Sequence, residues 1–144
     1  MAEGRIAAEN ALGEHLKMDY RAIPRCIFTL PEVACVGLSE NGARLKGYRI
    51  KCGEFPFAAN SMASILGERR GMVKIISDSE NHQIIGVHII GVGAVDLISE
   101  ATLAVKLGST LEDIKNTLHA HPTLSEVFWE AILDVNGETI HLKR

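Results

Sequence analysis

The sequence predicts an α+β fold in which helices pack on an antiparallel sheet. Two apolar runs, Met72–Ser77 and Gln83–Ile90, flank the polar tract Asp78-Ser-Glu-Asn-His82, which is the pattern of a β-hairpin. Cys26–Leu30 and Val33–Leu38 are also β-rich, and the long helical patterns follow the strands rather than alternating with them. That order argues against a parallel βαβ sheet.

The elements follow from spacing and punctuation. Residues 3–16 can form a helix, since Ile6, Ala7, Asn10, Ala11 and Glu14 fall at helical intervals, with Gly13 weakening its end. Pro31-Glu32 separates the first two strands. Ser39-x-x-Gly42 is a poor capping box, yet Glu40–Lys46 can make a short helix stopped by Gly47. Tyr48–Phe57 alternates loosely and reads as a strand broken by Pro56. After the hairpin, Ala94, Leu97, Ile98, Ala101, Ala104 and Val105 repeat at i, i+3, i+4 and i+7, and Gly108 closes that helix. Thr110-x-x-Asp113 opens another short helix. The last one starts at Leu124 behind an N-cap at Thr123. It gathers Leu124, Val127, Phe128, Ala131, Ile132 and Val135 on one face and ends at Asn136-Gly137.

At 144 residues one domain is expected, and a hydrophobic share of 47% is enough to build a core. A net charge of −3 offers no electrostatic pull toward nucleic acid or an anionic membrane, so neither is expected as a partner. The longest mostly apolar run, Ile84–Val95, includes His88 and three glycines and falls short of the ~20 residues that span a bilayer. Met-Ala-Glu-Gly-Arg at the start lacks the apolar stretch of a signal peptide, so a cytoplasmic protein is expected. Cys26, Cys35 and Cys52 are an odd set without C-x-x-C spacing and read as reduced, buried thiols.

Chemistry concentrates in His119-Ala-His-Pro-Thr-Leu-Ser-Glu126. Pro122 keeps His121 out of helical geometry, and Glu126 follows in the first turn of the last helix. The carboxylate can therefore reach back to orient the imidazole and stabilise its protonated form, as a base with an orienting group. Thr123-x-x-Glu126 is equally a capping box, in which Glu126 satisfies only the cap's N–H. Neither role excludes the other. His119 shares a face with His121 if the segment is extended, which makes it a candidate supporting partner.

Other features invite less. Gly86, Gly91 and Gly93 sit at a strand-to-helix junction, but Asp96 stands where G-x-G-x-x-G needs its last glycine. Tight turning and close packing account for them. His15, His82, His88 and His141 are scattered without metal-ligand spacing, so no metal site is expected and they read as surface or packed residues. Trp129 and Glu130 lie beside the apolar stripe of the last helix, where a partner chain competes with ordinary packing.

Several strings together resemble the flavin-dependent pyridine nucleotide–disulfide oxidoreductases, and within them the dihydrolipoamide dehydrogenase branch. Glu3-Gly-Arg-Ile-Ala-Ala-Glu-Asn-Ala-Leu-Gly13 resembles the helix leading out of that family's flavin domain. Met18-Asp-Tyr-Arg-Ala-Ile-Pro24, Phe28-Thr-Leu-Pro-Glu-Val-Ala34 and Val36-Gly-Leu-Ser-Glu40 look like the opening of its C-terminal interface domain. Phe55-Pro-Phe-Ala-Ala-Asn-Ser61 and the His-Ala-His-Pro-Thr-Leu-Ser-Glu string resemble the lipoamide branch more than glutathione or mercuric reductases. One departure is Met62, where a basic residue is expected in that branch.

The resemblance implies that residues 1–18 end the flavin domain and residues 19–144 form an interface domain of the FAD/NAD-linked reductase dimerisation type. It implies a homodimer in which His121 and Glu126 are the catalytic acid/base pair of the partner subunit's disulfide site. It further implies that His121 and Pro122 approach the partner's FAD across a cis His121–Pro122 bond. Neither dinucleotide fold nor a redox cysteine pair is visible in this stretch. FAD and NAD are thus expected on preceding domains of a full-length enzyme and not on this chain, which alone should be inactive. The expected substrate is dihydrolipoamide carried on a lipoyl domain, in the cytoplasm or, in a eukaryote, the mitochondrial matrix. Two other readings stay open: the same domain of a related flavin disulfide reductase, and a free-standing dimerisation module.

Overall fold

The computed structural model describes residues 1–142. Five antiparallel strands lie in the order β1-β2-β5-β4-β3: β1 (Arg25–Ile27), β2 (Glu32–Gly37), β3 (Ile50–Pro56), β4 (Met72–Asp78) and β5 (Ile84–Gly91). The helices are α1 (Ala2–Ala11), α2 (Glu40–Leu45), α3 (Ser61–Ile65), α4 (Ala94–Leu107), α5 (Leu111–Lys115) and α6 (Glu126–Asp134). The α+β expectation holds.

The β4–β5 hairpin turns where the polar tract predicted. Asp78 N–H donates to the Gln83 carbonyl, Asp78 Oδ1 accepts from the Glu80 N–H, and His82 takes a left-handed φ of 61°. One face of the sheet carries the core. Ala34, Val36, Phe55, Val73, Ile75, Val87 and Ile89 point at α4, which crosses β2 and β5, and at α6, which crosses β3 and β4. These helices answer with Ile98, Ala101, Val127, Phe128, Ala131 and Ile132, all buried. Gly53 lets α6 lie directly on β3, because a Cβ there would run into the backbone of Ala131 and Val135. At the junction below α4, Gly91 leaves room for the Phe57 ring, so close packing is its visible role.

The opposite face bears a polar row, with Arg25, Cys35, His88, Lys74 and Glu54 in cross-strand register. Lys74 joins Glu40 of α2 at 2.6 Å and Glu54 at 3.0 Å. Hydrogen bonds from Lys74 and then Arg44 hold the Glu40 carboxyl down from 4.5 to about 2. A depressed carboxylate stabilises the fold above its ordinary value and loses that contribution as pH falls toward the folded one. The pair is only half-buried and partly screened by solvent, so its contribution is modest. Thermal melts followed by circular dichroism should show Tm falling between pH 4.5 and about 2, with Lys74→Met flattening that limb.

Three expectations need correction. The first helix stops at Ala11 rather than residue 16, because Gly13 adopts φ 105° and Asn10 binds both the N–H and the carbonyl of Leu16. The strand read as Tyr48–Phe57 ends at Pro56 and gives way to a 3-10 turn, Phe57–Ala59, and then to α3, which the pattern did not announce. The thiols are not buried: Cys26 is exposed on edge strand β1, while Cys35 and Cys52 are half-buried on the face away from α4 and α6. Phe128 lies in the core, on the face that the spacing assigned to the last helix. Exposed apolar side chains lie instead at Phe28, Leu30 and Leu118.

Candidate active site

The segment between α5 and α6 is anchored from three directions. His119 Nε2 meets Glu100 of α4 at 2.9 Å, its Nδ1 meets the Thr117 carbonyl at 3.0 Å, and its ring lies 6.4 Å from that of Trp129. Asn60, buried at the start of α3, caps that helix through the Ala63 N–H and donates from Nδ2 to the Thr123 carbonyl at 3.1 Å. Thr123 Oγ1 bonds the Ala120 carbonyl at 2.7 Å. The His121–Pro122 bond is cis, as the resemblance implied, and Leu30–Pro31 is cis as well.

These anchors bring His121 and Glu126 together. His121 Nδ1 lies 2.8 Å from Glu126 Oε1, while Oε2 accepts the Thr123 N–H at 2.8 Å. One carboxylate thus fills both roles that the spacing left open, orienting the ring and closing the turn before the helix. Thr123 is not the N-cap, however. The helix begins at Glu126, and the i→i+3 bonds from Val127 to Leu124 and from Phe128 to Ser125 make its entry a tighter turn. Thr123 Oγ1 is engaged elsewhere and leaves the helix uncapped by a side chain.

Burial pushes the Glu126 carboxyl up, but hydrogen bonds from the Thr123 N–H and the His121 ring outweigh it and hold the group below the ordinary carboxylate range. An ionised carboxylate only accepts, so Nδ1 of His121 carries the hydrogen between them. A neutral ring then presents a lone pair at Nε2, for which the described residues provide no partner. The His121 side chain is 66% exposed against 17% for Glu126, which leaves the ring open to a second molecule and its orienting group sheltered. Pro122 is exposed beside it.

The ring of His119 is hydrogen-bonded to Glu100 and Thr117, not to His121, and holds the loop. Trp129 is tied into the chain by its indole N–H, which donates to the Lys115 carbonyl at 3.1 Å. A second His–Glu pair escaped the sequence reading. His141 Nδ1 lies 2.5 Å from Glu130 Oε1, and both line the same cleft as His121 and Glu126. Its one advance signal was the placement of Glu130 four residues after Glu126, on the same side of α6. Among the described residues, no three His, Cys, Asp or Glu side chains gather as metal ligands, and no helix is long and apolar enough to cross a membrane.

Residues 23–132 match the family model described as pyridine nucleotide-disulphide oxidoreductase, dimerisation domain. The chain belongs to this family. As a pyridine nucleotide-disulphide oxidoreductase dimerisation domain it is 44% identical over 142 residues to the dihydrolipoyl dehydrogenase of Thermus scotoductus, covering 99% of this chain and 31% of the relative. To the dihydrolipoyl dehydrogenase of Bacillus subtilis it is 46% identical over 140 residues, covering 97% of this chain and 30% of the relative. Among solved structures it is similar to LpdA of Mycobacterium tuberculosis, with a TM-score of 0.83 and 30% identity over 91% of this chain and 29% of that one. The chain spans under a third of the length of these relatives.

Proposed function

We propose that this chain is the interface domain of a FAD- and NAD-dependent dihydrolipoamide dehydrogenase, acting as a homodimer in which each copy lends His121 and Glu126 to the disulfide and flavin site of the other. The observation that carries the reading is the 2.8 Å contact from His121 Nδ1 to a sheltered, ionised Glu126, which leaves Nε2 free at an exposed surface. Similarity to dihydrolipoyl dehydrogenases at more than 40% identity supports the substrate class.

A dithiol is mostly protonated at neutral pH, and only its thiolate attacks a disulfide. His121 Nε2 takes the thiol proton and later returns it, while Glu126 fixes the ring and balances the imidazolium charge. The exposed His121–Pro122 step fits contact with a flavin held by the other copy, since none of the described residues covers it. FAD, when bound on a preceding domain that ends near residue 18, supplies the two-electron chemistry, and NAD is its acceptor on another domain. A lipoyl domain would bring the substrate, in the cytoplasm or the mitochondrial matrix.

The related flavin disulfide reductase remains a second reading, because Met62 stands where the lipoamide branch favours a basic residue. Assaying the full-length protein with dihydrolipoamide and with reduced glutathione separates the two; NAD reduction driven by glutathione alone would select the other substrate. The isolated chain is expected to be a colourless homodimer without dehydrogenase activity. Light scattering should give twice its mass of 15.7 kDa, with no yellow colour retained after FAD is added and removed. Retained flavin would contradict the assignment of FAD to a separate domain.

A further inference from the structure

The cleft that holds His121 and Glu126 contains a second pair built on the same plan. Glu126 and Glu130 stand four residues apart on α6, and each carboxylate is shared between one imidazole Nδ1 and one backbone N–H. Glu126 receives His121 and the N–H of Thr123; Glu130 receives His141 and the N–H of Ile140 at 3.0 Å. The Glu130 side chain is 2% exposed, whereas that of His141 is 51% exposed. A carboxylate so deeply placed, with both oxygens committed to residues 140 and 141, fixes that segment against the helix.

We propose that residues 138–142 form a strap completing the His121–Glu126 site, in which His141, pinned by Glu130, is the positioning residue that places positive charge beside Glu126. Two carboxylates one turn apart on a helix repel each other, and a cation held on Glu130 in the cleft they share relieves that. The titratable groups facing Glu126 are His121 from the preceding loop, Glu130 from its own helix and His141 from the strap. From β3 to α3 the cleft receives Phe55, Ala59, Asn60 and Ser61, none of which ionises in the working range. The field of His141 acts on Glu126 in the direction that keeps it ionised.

What the strap means for function rests on the acid/base reading above, but its test does not. The 13C resonance of the Glu126 side-chain carboxyl can be followed in this chain from pH 7 downward, without substrate or cofactor. Imidazoles carry their charge throughout the range in which carboxylates titrate. His141→Gln keeps a hydrogen-bond donor and removes that charge. It should raise the Glu126 midpoint by about half a pH unit, the scale of one charge a few ångströms away in a water-like dielectric. His141→Lys should bring the midpoint back toward the original. Either an unchanged midpoint in His141→Gln or no recovery in His141→Lys overturns the proposal, leaving the strap as packing only. The catalytic reading fails by a different result, full turnover without His121.

Discussion

Replacing His121 with Ala in the full-length enzyme is expected to lower dihydrolipoamide turnover by about two orders of magnitude or more, the scale of a lost positioned base. Folding should be nearly untouched, because the ring is mostly exposed and, among the described residues, is bonded only to Glu126. Glu126→Gln should cost less. The amide keeps one accepting oxygen, which can still orient the ring through its Nδ1–H, while the second bond, to the Thr123 N–H, and the charge that balances the imidazolium are lost. Steady-state rates with saturating dithiol read both effects, and full activity in His121→Ala would reduce the motif to a turn and helix start.

Phe128→Ala is expected to destabilise the chain by about 3–5 kcal/mol, the range for a large core aromatic. Phe128 is 1% exposed and sits where α6 meets β3 and β4. For a domain of this size that is a fall in Tm of about 10 °C or more by calorimetry. The same substitution at a surface covered only by a twin subunit would instead weaken association and leave the folded state of each copy intact. Loss of dimer with an unchanged transition at high dilution would therefore contradict the core placement.

Much of the fold was legible because its signals are local. The hairpin around Asp78–His82 and the stripe from Ala94 to Val105 each carry their own periodicity and punctuation, and both appear where expected. What failed depended on partners distant in sequence. The apolar stripe of the last helix told Phe128 from Trp129, but only the folded chain decides that the Trp129 indole ties to Lys115. The facing of Cys35 and Cys52 depends on which side of the sheet α4 and α6 choose, and strand alternation alone does not say. Asn60 was a cap signal in plain sight, an Asn before Ser61-Met-Ala-Ser, masked by reading the strand one residue too far.

The candidate site divides in the same way. His121 and Glu126 are five residues apart, so local geometry was enough to bring them together. His119 and Glu100 are 19 apart, and His119 chose that distant partner over its neighbour. His141 meets Glu130 only because the chain folds back along α6 after Gly137, which no spacing rule foretells.

Hybrid dimers test most directly whether one copy serves the other. One full-length subunit would carry His121→Ala, and its partner an intact His121 but no redox cysteine pair. Each parent homodimer should be nearly inactive. If His121 acts across the interface, the hybrid regains one working site, the intact disulfide of the first subunit served by the histidine of the second. A hybrid as inactive as its parents would show that His121 serves its own subunit, and would contradict the account.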